Sequence, residues 1–244
     1  MESGSQRDGT RPTGGYPPGE ALADAWNEHR RYVGFAAGLF AVGTVVGVLL
    51  MLAGYNLLEI IQELVGEPLF PDVDGGGVDL ARFLLVNNSR AFLLSIVGAL
   101  SLGLLTAWAM LFNGIIIGNV GAYVTRDVGL DYILVGLLPH GIFELPALFI
   151  AAGIGFQLLY RIGQRVRGTR DAIFTKPYLY RTGLLALAGW LLLVVAALVE
   201  AFVTPALLET LFAERLEGMA ATVCPTLRRR ERTVSDGSAA DERS

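Results

Sequence analysis

Apolar and polar positions in this chain do not alternate on the short periods of a soluble domain. They fall instead into long, nearly uncharged blocks separated by charged ones, with apolar runs at about residues 32–55, 83–102, 104–125, 132–160 and 182–204. A helix needs roughly 20 apolar residues to cross a bilayer, so each block is long enough for one pass. The pattern predicts an all-α, polytopic membrane helix bundle of about five transmembrane helices. The stretch from Arg82 to Val124 is too long for one pass and has no charge after Arg90. A turn between Gly98 and Gly103, where Gly and Ser cluster, divides it into two spans. A turn at Asn113-Gly114 is the alternative, and it leaves only a short second pass.

The polar segments predict how the spans are oriented. Residues 1–28 read as a disordered N-terminal tail, too poor in large apolar side chains to build a core, and no apolar stretch follows a basic start as in a cleavable leader. Trp26 to Tyr32 forms a short lead-in in which His29 is expected to be solvated, and Arg30 and Arg31 favour a cytoplasmic N-terminus. The loop at 56–81 carries Glu59, Glu63, Glu67, Asp72, Asp74 and Asp79 and fits the outer side as a solvated loop rather than a cation site. Within it, Leu57 to Leu64 has the pattern of an interfacial amphipathic helix. The loop at 161–181 carries Arg161, Arg165, Arg167, Arg170, Lys176 and Arg181 against Asp171, the strongest positive-inside signal in the chain. The two signals agree. Pro205 is expected to terminate the last span, with a C-terminal tail over 206–244.

Composition supports the class: 53% of residues are hydrophobic and 17% charged, against about 25% charged in soluble domains, and mean hydropathy is +0.51. The single cysteine, Cys224, excludes an internal disulfide or a cysteine-rich metal site and reads as a passive tail residue. Arg228-Arg229-Arg230 is too short to argue for nucleic acid. Asn87-Asn88-Ser89 is treated as a chance glycosylation match, because it adjoins a span. Gly34, Gly38, Gly43 and Gly47 make a small-residue face on the first span, suited to close helix approach.

The candidate chemistry lies in the fourth span, in Pro139-His140-Gly141-Ile142-Phe143-Glu144-Leu145-Pro146. An imidazole and a carboxylate at i, i+4 share a helix face, at a depth where ionisable groups need partners or a task. Pro139, Gly141 and Pro146 predict a broken or kinked helix. A catalytic zinc needs three protein ligands, and His140 is the only histidine outside the lead-in, so no metal, cofactor or catalytic residue is expected. Ser95 and Ser101 read as serines bonded to backbone carbonyls rather than nucleophiles. The favoured reading is a buried polar network in which Glu144 pairs with His140 or Arg90 and Asn113 bonds across helices. Proton coupling in a small secondary transporter is the rival.

Asn88 to Arg90 opening a span, Gly98 and Gly103, Asn113-Gly114 with Gly118, and Pro139-His140-Gly141 with Glu144 and Ala147 together resemble the stage II sporulation protein M family, over roughly residues 86–163. The resemblance implies a multi-pass membrane protein with five spans and no recognised catalytic activity, and it marks Asn113, His140 and Glu144 as motif positions. The family's namesake is a membrane scaffold for peptidoglycan-degrading partners during engulfment. Many relatives occur in prokaryotes that neither sporulate nor make peptidoglycan. The expected partners are therefore the lipid bilayer of the cell membrane and other membrane or envelope proteins, with association between copies of the chain left open and no nucleic acid.

Overall fold

The computed structural model describes residues 17–65 and 76–223, with side chains at 62, 64–65, 76 and 214–223 left aside. The described residues form helices only. These are α1 (Pro18–Leu52), α2 (Leu57–Val65), α3 (Gly76–Val97), α4 (Leu104–Asp127), α5 (Leu130–Val166), α6 (Lys176–Leu198) and α7 (Thr204–Val223). A 3₁₀ turn at Gly98–Ser101 separates α3 from α4, and a π-helical turn at Val199–Val203 joins α6 to α7. Five helical stretches are long and apolar enough to cross a membrane. Val42, Val45, Leu49, Leu93, Leu94, Trp108, Leu138 and Ile142 stand exposed along them. On a water-soluble surface such patches would drive association. Against acyl chains they are the ordinary outer face of a span.

Helix α5 organises the bundle. Its 37 residues extend about 55 Å at 1.5 Å per residue, and it packs against α1, α3, α4, α6 and α7. Its buried face includes Ala147, Ala151 and Gly155, one turn apart. Small side chains there let α3 come close, and a methyl group at Gly155 would fall on the Ser95 carbonyl oxygen. The reversal between α3 and α4 occurs at the glycine and serine cluster, with Leu102 and Gly103 both left-handed at φ 54° and 73°. Thr106 then donates to the Ser95 carbonyl at 2.9 Å, tying the two arms of that turn.

Helices α1 and α4 meet backbone to backbone. Gly43 and Gly47 lie over the Leu111 and Ile115 carbonyls, while Gly114 and Gly118 lie over those of Phe40 and Thr44. Both helices thus present glycine four residues apart, each filling the other's gap, the small-residue mode of membrane helix packing.

Several boundaries differ from the sequence reading. The tail predicted over 1–28 is helical from Pro18, because Ala21, Ala25 and His29 recur every fourth residue and all are 0% exposed; residues 1–16 lie outside the described residues. His29 is therefore a core residue and not a solvated one. The acidic loop is shorter than 56–81, since α3 begins at Gly76; Glu67, Asp72 and Asp74 lie outside the described residues. The basic loop contracts from 161–181 to 167–175, since Arg161 and Arg165 belong to α5 and Lys176 and Arg181 to α6. Pro205 does not end the last span. It sits at the second residue of α7, directly after the π-helical turn, and helix continues to Val223. Cys224 and Arg228 to Arg232 fall beyond the described residues. Pro139 and Pro146 do not break α5, which runs through both as one continuous helix. Each proline removes one backbone donor and frees one carbonyl, and the pairing on either side carries the helix through.

Candidate functional site

Two polar clusters lie along α5, one near its C-terminal end and one in its N-terminal half, and they differ in how well they are paired. The first joins α1, α5 and α6 at the end that carries most of the arginines. Arg161 is 3% exposed and donates to the Ile173 carbonyl at 2.8 Å and to Glu28 Oε1 at 3.3 Å. Its guanidinium lies 3.6 Å from the centroid of the Tyr178 ring. Gln157 donates to Glu28 Oε1 at 3.0 Å and accepts from the Tyr178 hydroxyl at 2.7 Å. Arg181 reaches Glu28 Oε2 at 3.3 Å and Asp24 at 3.6 Å. His29 holds its Nδ1 against the Ala25 carbonyl at 2.7 Å and stacks near Tyr178. Glu28 thus faces two guanidinium groups and an amide. A buried network connected in this way fixes helix positions.

The second cluster is formed by His140 and Glu144 on α5 and Glu200 in the π-helical turn. A ligand atom from each, an imidazole nitrogen or a carboxylate oxygen, lies within 4.8 Å of the other two. His140 is 8% exposed, and its Nδ1 is buried without a hydrogen-bond partner. Among the described residues, neither Glu144 nor Glu200 is paired with an arginine or lysine, and none of the three is hydrogen-bonded to another. His140 is buried and Glu144 and Glu200 are half-buried, and two carboxylates and an imidazole without compensating partners are costly where water is scarce. Such groups are characteristic of binding and catalytic sites rather than of structural cores. A π-turn, a form often found at functional sites, carries Glu200.

The predicted network is therefore only partly assembled. His140 and Glu144 come together, but without a hydrogen bond between them. Arg90 is exposed on α3 and makes no ion pair with Glu144. Asn113 is half-buried and bonds to neither residue; the asparagine that crosses helices is Asn119. Asn119 is 0% exposed, donates to the carbonyls of Gly47 at 3.2 Å and Tyr55 at 2.8 Å, and accepts from the Leu57 N–H at 2.9 Å. It bridges the break between α1 and α2. Gly141 is buried inside α5 and keeps helical geometry with Pro139 and Pro146. Sequence reasoning missed Glu200, Asn119 and the whole Glu28–Arg161 network. The one signal available for the last was the four-residue spacing of Ala21, Ala25 and His29.

A multi-pass helical membrane protein with an unpaired acid and imidazole cluster in its central helix is the class that this architecture defines. The chain belongs to the stage II sporulation protein M family, whose model matches residues 35–205. That span includes His140, Glu144 and Glu200 and excludes Glu28 and His29. Over 123 residues the chain is 31% identical to an uncharacterized protein of Methanocaldococcus jannaschii, covering 50% of this chain and 69% of that protein. No solved structure matches the chain.

Proposed function

We propose that this protein is a non-catalytic membrane component on which other membrane or envelope proteins assemble, with its arginine-rich end on the cytoplasmic side. The observation that carries the reading is the α1–α4 contact, where four glycines set the two backbones directly against each other. Together with the Glu28–Arg161–Arg181 network across α1, α5 and α6, it makes a stiff bundle suited to presenting fixed surfaces. Rocking of α1 and α4 against α5 and α6, as in alternating access, would have to break the Glu28 network. The orientation is read from Arg30, Arg31, Arg161, Arg165, Arg170 and Arg181, of which Glu28 holds Arg161 and Arg181 and the Tyr160 ring lies against Arg31.

A second reading, a small transporter using the acid and imidazole cluster for proton coupling, is favoured by His140, Glu144 and Glu200 lying together. Reconstitution into vesicles separates the two. The assembly reading expects no pH-gradient-driven flux from the purified chain, and crosslinking in its own membrane is expected to capture a defined partner in fixed proportion. Flux that is lost in Glu144→Gln while the variant stays folded would overturn it.

A further inference from the structure

The cluster on α5 and the π-turn carries an inference independent of the assembly reading. We propose that His140, Glu144 and Glu200 form a site for one divalent transition-metal ion of the zinc type inside the bundle. The expectation of no metal rested on a ligand count of two within one helix, and the fold supplies the third ligand from the π-helical turn that follows α6.

The geometry suits a single ion. Three ligand atoms held tetrahedrally about 2.1 Å from one ion lie about 3.4 Å apart. The three candidate atoms, all within 4.8 Å of one another, close onto that spacing with side-chain shifts of at most about 0.8 Å each. An imidazole nitrogen of His140 lies within 4.8 Å of both carboxylates, and Nδ1 of the same ring is buried without a hydrogen-bond partner. Charge points the same way. No arginine or lysine compensates Glu144 or Glu200 among the described residues, and a divalent cation balances two carboxylates. The imidazole selects among cations, because nitrogen donors suit zinc and its neighbours, whereas calcium and magnesium prefer oxygen alone. With one nitrogen and two carboxylate ligands, a fourth position is left to water or to a group brought by a partner.

The test uses the full chain in detergent, carried on an affinity tag without histidine, stripped with chelator and titrated with Zn²⁺. One saturable ion per chain is expected, with the dissociation constant raised at least about tenfold in each of His140→Ala, Glu144→Gln and Glu200→Gln. Glu63→Gln, which alters an exposed carboxylate, should leave it unchanged. Equal binding by the parent and the triple variant, or no saturable binding by the parent, overturns the proposal. X-ray absorption on the zinc-loaded parent gives a reading that does not depend on variants folding. One imidazole with oxygen ligands is expected, and a sulfur ligand or several imidazoles would overturn it.

Discussion

Glu28 on α1 and Arg161 on α5 are 133 positions apart in sequence, and their side chains meet at 3.3 Å. Arg161 is 3% exposed and Glu28 26% exposed, so the guanidinium depends on the carboxylate for much of its compensation. Removing one partner of a fully buried pair costs about 3–5 kcal/mol, and the partial exposure of Glu28 brings the figure down to roughly 2–3 kcal/mol. Glu28→Ala should therefore lower the unfolding midpoint of the detergent-solubilised protein clearly, and Glu28→Gln should lower it less. Equal midpoints for Glu28→Ala and the parent would mean that the pair does not hold α1 to α5.

The glycine contact predicts a steric effect instead of an electrostatic one. A side chain at Gly43 or Gly114 meets a backbone carbonyl on the facing helix, which cannot rotate aside. Gly43→Val and Gly114→Val should each cost at least the ~1–3 kcal/mol typical of overpacking. Gly38→Val, where nothing lies within 4 Å, should be close to neutral. Limited proteolysis in detergent reads the difference as faster cleavage between α1 and α4.

Asparagine identity is a third test. Asn119 makes three hydrogen bonds to the α1–α2 junction, and side-chain bonds between membrane helices average about 0.6 kcal/mol each. Asn119→Ala should thus destabilise by roughly 1–2 kcal/mol, and Asn113→Ala by much less. Chemical or thermal unfolding of the two variants side by side decides it; the reverse order would restore Asn113 as the helix-bridging residue.

Sidedness can be read by thiol labelling in a Cys224→Ser background. Asp171→Cys lies between α5 and α6, and Asp127→Cys lies at the end of α4; both positions are exposed. A membrane-impermeant maleimide added to intact cells should label the second at once and the first only after permeabilisation. The opposite pattern would invert the bundle, and labelling of both from one side would contradict the pass count.

The five apolar blocks and the reversal at Gly98–Gly103 were legible because hydrocarbon imposes a length and forbids charge, and both constraints are local. Rotation of a helix about its axis is not local, and each misplaced residue follows from that. Asn113 and Asn119 stand in the same apolar run, and only the Gly114–Gly118 stripe turning toward α1 decides which one enters the interface. Glu200 lay near the end of a recognised span, but its approach to His140 depends on how α6 lies against α5. The break expected at the prolines is absent for a related reason. Pro139 and Pro146 each remove only one donor from α5, and helix continues through both in a segment packed on several sides.

The five residues from Val199 to Val203 close their ring one position later than an ordinary turn does. Such a segment absorbs a single extra residue in a widened turn, so the helix beyond it keeps its angular phase, whereas each residue in a regular helix advances about 100° around the axis. Deleting Ala201 would let the regular winding run straight through and leave Phe212 edge-on to Tyr132. Deleting Leu207 from the regular part of α7 would instead rotate everything downstream by about that angle and swing Phe212 off that contact. The same one-codon loss is thus absorbed inside this turn and disruptive a few residues beyond it.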